Sequence, residues 1–176
     1  MKIFLAGSFQ EPKNEELLRL IYEILKDKNH DVWWAPEKNK IRGYGSNDAE
    51  LIKNIIKRKE LAIKKCDVLV AVMKKATFGT AMEIKQAFDN KIPVIAYILS
   101  SDCADFESAA FNYRVSTRVK DATELLEEIE NLEGKTDKEK YMGFANILNN
   151  SGKNNNNKLK KSKKRKKKKN LENFTV

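Results

Sequence analysis

Cysteine and histidine are scarce in this chain of 176 residues, which contains two Cys and one His. Cys66, Cys103 and His30 are too few for a Cys/His zinc site or a network of disulfides. They also provide no Ser/His or Cys/His pair for a nucleophilic hydrolase, since His30 precedes the second predicted strand at the amino edge of the sheet. We expect the two Cys side chains to be buried thiols in a reducing compartment.

Long apolar runs are also absent. No run approaches the roughly 18 residues of a membrane-spanning helix, and the N-terminus lacks the features of a secretion signal. The chain has no GxGxxG and no GxxxxGK[ST], the main signals of dinucleotide-binding and P-loop proteins. We therefore expect a soluble, cytoplasmic protein without membrane association, and neither of those two phosphate-binding motifs is available to explain its function.

The formal net charge of +10 suggests a nucleic-acid binder, but the excess charge is confined to one end. Of the 35 Lys and Arg and the 25 Asp and Glu, 11 basic residues and one acid lie in 153–176, which leaves 24 of each in 1–152. A neutral folded part lacks the basic face that duplex binding needs. We expect an Asn/Lys-rich disordered tail at 149–176. The tail either contacts nucleic acid or the nuclear-import machinery, or is a low-complexity extension; both interpretations stay open.

Short apolar runs alternate with helical patterns along the chain. The pattern predicts strands at 3–6, 32–35, 68–73, 92–99 and 115–119, helices at 15–28, 48–65, 80–90 and 123–132, a loop at 36–47 and a further helix at 137–148. This alternation is typical of a doubly wound α/β fold, flavodoxin- or Rossmann-like, with a five-stranded parallel sheet and helices on both faces. We expect this domain to span residues 1–148.

In an open parallel sheet, ligands bind at the carboxyl ends of the strands. Gly7 and Gly79 come just past two such ends, where a glycine lets the backbone approach a ligand closely; ordinary turn glycines are the alternative. Glu83 is expected in about the first turn of the next helix, where the helix terminus favours an ionised carboxylate. From its position alone, Glu83 is either a candidate nucleophile or an acid selected for the helix terminus.

Four segments of the chain resemble the nucleoside 2-deoxyribosyltransferase family, which includes deoxyribonucleoside 5′-monophosphate N-glycosidases. They are MKIFLAGSF, CDVLVAVM, TFGTAMEIKQAF and NKIPVIAY, and the resemblance covers about residues 1–130. The most specific is the third, a Gly-Thr-x-x-Glu with Ala87 four residues after Glu83. In this family the Glu that matches Glu83 is the nucleophile.

The resemblance implies a double displacement at the anomeric carbon of the sugar. The Glu83 carboxylate would attack C1′ through an oxocarbenium-like transition state, release the base and form a glycosyl ester. Water or a second base would then resolve the ester, which separates a hydrolase from a transferase. This mechanism implies no metal and no other cofactor.

Two positions of the resemblance bear on that distinction. Thr77, six residues before the nucleophile, is similar to the phosphate-contacting Ser of the hydrolases, where transferases tend to carry Asp. Ser108 is similar to a hydrolase Ser in a loop that the neighbouring subunit supplies. The resemblance therefore implies a homodimer with composite sites, in which these hydroxyls and Gly7, Ser8 and Gly79 form a neutral phosphate cradle.

The chain also departs from the family pattern. Gln10 stands where the hydrolases carry an Arg, so this substrate-binding position has no charge. Lys59 follows Arg58 where the family usually has an Asp that assists acid/base chemistry. Glu60, one residue further, is our second catalytic candidate, but it replaces that Asp only if the helix is re-registered, because one residue is about 100° of rotation. Lys85 stands where a Gly is common.

The sequence thus favours an enzyme that hydrolyses the base–sugar bond of a (deoxy)nucleoside 5′-monophosphate. Base exchange between deoxynucleosides is the first alternative. The cytokinin-activating phosphoribohydrolases share only the local Gly-Thr-x-x-Glu, and their preceding Pro-Gly-Gly is missing here. A non-catalytic nucleotide-binding module attached to nucleic acid by the basic tail is the alternative from another class, and Lys59 and Gln10 support it.

Overall fold

Five strands form one parallel sheet in the computed structural model, which describes residues 1–8, 12–39, 49–74, 77–99, 111 and 114–135. The strands are β1 (Lys2–Gly7), β2 (Asp31–Trp34), β3 (Val68–Met73), β4 (Val94–Ile98) and β5 (Thr117–Val119). The helices in these ranges are α1 (Pro12–Asp27), α2 (Ala35–Asn39), α3 (Ala49–Lys65), α4 (Phe78–Asp89) and α5 (Ala122–Glu133). The order β2-β1-β3-β4-β5 is that of flavodoxin-like folds, which confirms the predicted doubly wound architecture.

Helices cover both faces of the sheet, because alternate side chains of each strand point to opposite faces. Ile3 and Leu5 of β1 pack with α1 and α5 in one buried cluster. Phe4 and Ala6 pack with α3 and α4 in a second cluster on the other face. The central strand β3 is buried at all six positions, as expected for a parallel strand with helices on both sides.

Two adjacent tryptophans of β2 belong to the two different faces. Trp34 is fully buried on the side of α1, where its ring lies 5.5 Å from that of Tyr22. Trp33 lies on the side of α3 and α4 and stacks on Phe4, with 4.7 Å between the ring centroids and 12° between the planes. The second face therefore has an aromatic floor near the carboxyl ends of β1 and β2.

The order of the strands reverses between β1 and β3, and this positions the ligand site. Gly7 at the end of β1 is in register with Val72 of β3, so the chain leaves both strands at the same edge of the sheet. Because the connections after β1 and β3 run to opposite faces, the two strand ends border a crevice.

Most element boundaries differ by one to three residues from the sequence-based expectation, and two of the differences have a clear local cause. The loop expected from residue 36 is wrong for its first residues, because Ala35–Asn39 form the short helix α2, in which Pro36 occupies the first turn, where a missing N–H is tolerated. Helix α4 begins at Phe78, two residues early, because Thr77 caps it: the Thr77 side-chain oxygen accepts a hydrogen bond from the Thr80 N–H.

The helix predicted at 137–148 and the tail predicted at 149–176 lie outside the described residues. Within the described ranges, no helix combines the length and the apolar character that crossing a bilayer requires.

Candidate active site

A cavity of about 790 Å³ opens at the carboxyl edge of the sheet, beside α3 and α4. This volume lies in the usual range for small-molecule sites. Every sequence-predicted site residue that the structure describes lines this cavity; these residues are Gly7, Ser8, Glu60, Thr77, Gly79 and Glu83. Gln10 and Ser108 lie outside the described residues. The fold thus brings residues from β1, α3 and α4 to one place.

Glu83 is the buried acid of the cavity. The residue is only 8% exposed, and its Oε1 forms an ion pair with Nζ of Lys59 on α3. Burial raises the pKa of the Glu83 carboxyl above its usual value, and the charge and hydrogen bond of Lys59 oppose this shift. Burial therefore favours the neutral form of the carboxyl group, whereas Lys59 favours its ionised form.

The helix terminus does not contribute to this balance in the way the sequence suggested. Because α4 begins at Phe78, Glu83 is its sixth residue and lies in the second turn. The expectation of a first-turn position is therefore wrong, since the stabilisation of an anion by a helix terminus falls off within the first turn. The ammonium group of Lys59, and not the helix terminus, stabilises the ionised form of Glu83.

Lys59 and Glu60 occupy different positions on α3, although both line the cavity. The helix runs without interruption over Ala49–Lys65, so it is not re-registered at this point. Lys59 is half-buried and contacts Glu83, whereas Glu60 is exposed and its carbonyl oxygen accepts a hydrogen bond of 3.4 Å from Gln86 Nε2. Lys59 is thus the partner of Glu83 that sequence reasoning missed. The sequence did contain a signal for this contact. Lys59 stands where the family usually has an Asp that assists chemistry at the site, so a side chain at this position is expected near the nucleophile.

The start of α4 places two hydroxyl groups at the cavity. Thr77 Oγ1 lies 2.9 Å from Thr80 Oγ1 and accepts a hydrogen bond of 3.4 Å from the Thr80 N–H. Both threonines line the cavity. The Thr77 hydroxyl is engaged in the helix cap, so a hydrogen bond from it to a ligand requires the hydroxyl to rotate.

The two cavity glycines have different surroundings. A Cβ on Gly7 would lie 2.9 Å from the carbonyl oxygen of Val72 and 2.8 Å from Cδ2 of Leu18. Packing within the protein therefore requires a glycine at this position. A Cβ on Gly79 would have no heavy atom of the described residues within 4 Å, so no neighbour there requires a glycine. Gly79 instead leaves open space at the cavity wall.

Apolar side chains form the rim of the cavity. Phe78 is 89% exposed and Met82, one turn later on α4, is 65% exposed. Ile56 lies on the facing helix α3 and is also exposed. An exposed aromatic ring at the entrance of a cavity is suited to stacking on a planar ligand. Sequence reasoning missed this rim, because the periodicity of α4 does not distinguish a rim position from a solvent-exposed one.

The amino edge of the sheet has a separate polar cluster. His30 Nδ1 lies 3.3 Å from the Met1 amino nitrogen and 3.5 Å from Glu133 Oε1. It is thus at the edge opposite to Glu83 and is not part of the cavity lining. In the part of the chain that the structure describes, no three His, Cys, Asp or Glu side chains come together as a metal site would need.

Comparison with known sequences gives one family. The sequence model described as nucleoside 2-deoxyribosyltransferase matches residues 3–118, well over half of the chain. No curated protein sequence matches the chain.

Comparison with solved structures finds several that are similar to this chain. The 2-deoxyribosyltransferase of Bacillus psychrosaccharolyticus is 18% identical with a TM-score of 0.61, over 71% of this chain and 90% of that one. A conserved protein from Enterococcus faecalis V583 is 21% identical with a TM-score of 0.60, over 74% and 98%. The CMP N-glycosidase of Clostridium botulinum is 20% identical with a TM-score of 0.49, over 74% and 98%.

Proposed function

This chain belongs to the nucleoside 2-deoxyribosyltransferase family, and we propose that it hydrolyses the base–sugar bond of a (deoxy)nucleoside 5′-monophosphate with Glu83 as the nucleophile. The observation that carries the proposal is the position of Glu83, a buried carboxylate on the wall of a cavity large enough for a nucleotide. A carboxylate in these surroundings is suited to forming a covalent ester, because the ester carries no charge and burial opposes only the charged form.

The reaction would proceed in two displacements. A carboxylate oxygen of Glu83 forms a bond to C1′ while the bond from C1′ to the base nitrogen breaks, and the base leaves with the electron pair and takes a proton from solvent. Water then attacks C1′, the ester bond breaks, and the electron pair returns to Glu83. The water gives up its proton to solvent, so the overall products are the free base and the sugar 5-phosphate.

The hydroxyl groups at the strand ends support a phosphate in this cavity. Ser8 follows β1 and Thr77 caps α4, and both line the cavity beside Gly79, whose backbone is open to a ligand. Hydroxyls and helix N-terminal N–H groups can bind a phosphate without a formal charge. Gln10 and Ser108 complete the proposed cradle, Ser108 from the neighbouring subunit of a homodimer.

Base exchange between deoxynucleosides is the second candidate function. The exposed ring of Phe78 and the exposed side chains of Met82 and Ile56 would accommodate the acceptor base that this exchange needs, because a base stacks on an apolar surface. The same rim also suits the departing base of a hydrolase, so the rim alone does not rank the two functions.

The test is chromatography of free base. We expect base release from at least one of the four deoxynucleoside monophosphates and no exchange in parallel mixtures of deoxynucleosides with an acceptor base. Exchange on unphosphorylated deoxynucleosides would instead support the transferase. Base release should disappear in Glu83→Gln, because an amide is not a nucleophile for C1′. Glu127→Gln is the matched control, since Glu127 is an exposed acid on α5, on the opposite face of the sheet.

Release that survives in Glu83→Gln at the rate of the unmodified protein would contradict the assignment of the nucleophile. Absence of both reactions in the unmodified protein would favour the non-catalytic nucleotide-binding module. In that case Glu83→Gln should leave nucleotide affinity nearly unchanged.

A further inference from the structure

We propose that Lys59 is a second catalytic residue, which stabilises the Glu83 carboxylate as it leaves C1′ in the step that resolves the glycosyl ester. The inference rests on the proposed function, because it needs a covalent intermediate on Glu83. It does not depend on whether water or a base resolves that intermediate.

The position of Lys59 is fixed by the packing of α3. Ile55 and Ile63, four residues before and after Lys59, are both buried. Residues four apart lie on the same side of a helix, so Lys59 is held on the side that packs against the protein. Its side chain is 19% exposed, and Nζ contacts Oε1 of Glu83. Lys59 therefore touches one of the two oxygen atoms that can react.

The two displacements change the charge of Glu83 in opposite directions. When the ester forms, the carboxylate loses its charge; when the ester is resolved, the charge returns. Burial of Glu83 favours the uncharged ester and so opposes the second displacement. Lys59 provides the compensating positive charge at the oxygen where the negative charge develops. It should therefore accelerate the second displacement and keep the lifetime of the ester short.

This role depends on Lys59, which stands where the family usually has an Asp. An Asp at position 59 would repel the returning charge of Glu83, whereas a Lys attracts it. The bond changes in the second displacement are complete without proton transfer from Lys59: water oxygen bonds to C1′, the C1′–O bond to Glu83 breaks, and water loses its proton to solvent. Lys59 stays an ammonium group throughout.

The test is the time course of base release by Lys59→Met, which keeps the aliphatic stem and removes the charge. The substrate is the deoxynucleoside monophosphate that releases base fastest with the unmodified protein. The reaction is run at about pH 9, where even a carboxyl with a strongly raised pKa is largely ionised. We expect a burst of about one base per site, followed by turnover that is roughly 10- to 100-fold slower, the usual effect of losing a charge-assisted hydrogen bond.

Intact-mass spectrometry during turnover is the second readout. Lys59→Met should carry the mass of one sugar phosphate on most molecules, and a further Glu83→Gln substitution should remove this added mass. Lys59→Arg keeps the positive charge and should restore turnover without accumulation. Lys57→Met removes the same charge from an exposed position of α3 and should behave as the unmodified protein. If Lys59→Met has a Tm too low for the assay, Lys59→Gln is used instead, because it also removes the charge.

The outcomes separate this inference from the function on which it rests. If the unmodified protein releases no base, the proposed function is wrong and this inference is wrong with it. If the unmodified protein releases base but Lys59→Met shows linear release and no added mass, only the inference is overturned. A burst with the added mass, reversed by Lys59→Arg, is the result that we expect.

Discussion

Replacing Gly7 by Ala tests whether this glycine serves packing. The added Cβ would lie 2.8 Å from Cδ2 of Leu18 and 2.9 Å from the carbonyl oxygen of Val72. The Leu18 side chain can turn away, but Val72 belongs to the central strand β3, which is buried at every position and has little room to move. Overpacking of this kind usually costs about 1–3 kcal/mol of unfolding free energy. For a chain of this length, that corresponds to a decrease of roughly 2–12 °C in Tm.

Gly79→Ala is the matched control for this prediction. Its Cβ would meet no heavy atom of the described residues within 4 Å, and the residue lies in the first turn of α4. Stability should therefore stay the same or increase by up to about 1 kcal/mol, because Ala is the better helix former. The measurement is urea denaturation followed by circular dichroism for both variants and the unmodified protein.

Equal denaturation midpoints for Gly7→Ala and the unmodified protein would refute the packing argument. The same two variants also separate packing from ligand binding. The methyl group of Gly79→Ala adds to the cavity wall at the proposed phosphate cradle, so we expect KM for the monophosphate to rise while Tm does not fall.

Three further predictions concern pH, thiol chemistry and the tail. Base release needs ionised Glu83, whose pKa is raised by burial, so kcat/KM should fall on acidification at a pH above the usual 4.5 of a Glu. Lys59→Met should move this acidic limb to still higher pH, and the pH profile of kcat/KM is the measurement, because turnover of this variant is limited by resolution of the ester. Burial raises the pKa of the Cys66 thiol from 9.0 to about 12, so in a Cys103→Ser background a thiol reagent should label the folded protein at least about 10-fold more slowly than the unfolded one. Deletion of residues 153–176 should leave the rate of base release unchanged, and a large decrease would show that the tail contributes to catalysis.

The fold could be predicted from the sequence because strand and helix patterns alternate without ambiguity. The apolar run of β3 has no polar position, which is typical of a strand covered on both faces. The parallel arrangement and the strand order follow from such alternation with few alternatives. The ends of the helices were less predictable. The cap that Thr77 forms and the position of Pro36 in a first turn depend on local backbone conformation, which the periodicity of apolar residues does not determine.

The candidate site could be predicted as a set of residues but not as a set of contacts. Glu83, Thr77 and Gly79 lie close together in sequence, so one motif placed all three at the cavity. The pairing of Glu83 with Lys59 joins two helices and depends on how α3 is rotated against α4. The burial of Ile55 and Ile63 determines that rotation, and it is known only once the helix is packed.

The two tryptophans of β2 give the protein an intrinsic optical probe of its own site. Trp33 lines the cavity and stacks on Phe4, whereas Trp34 is enclosed on the other face of the sheet beside Tyr22. Trp34 also lines the cavity but is only 1% exposed, so a nucleotide that enters the cavity should change the surroundings of Trp33 more than those of Trp34. Fluorescence of Trp34→Phe should therefore change more on ligand binding than that of Trp33→Phe, without any attached label.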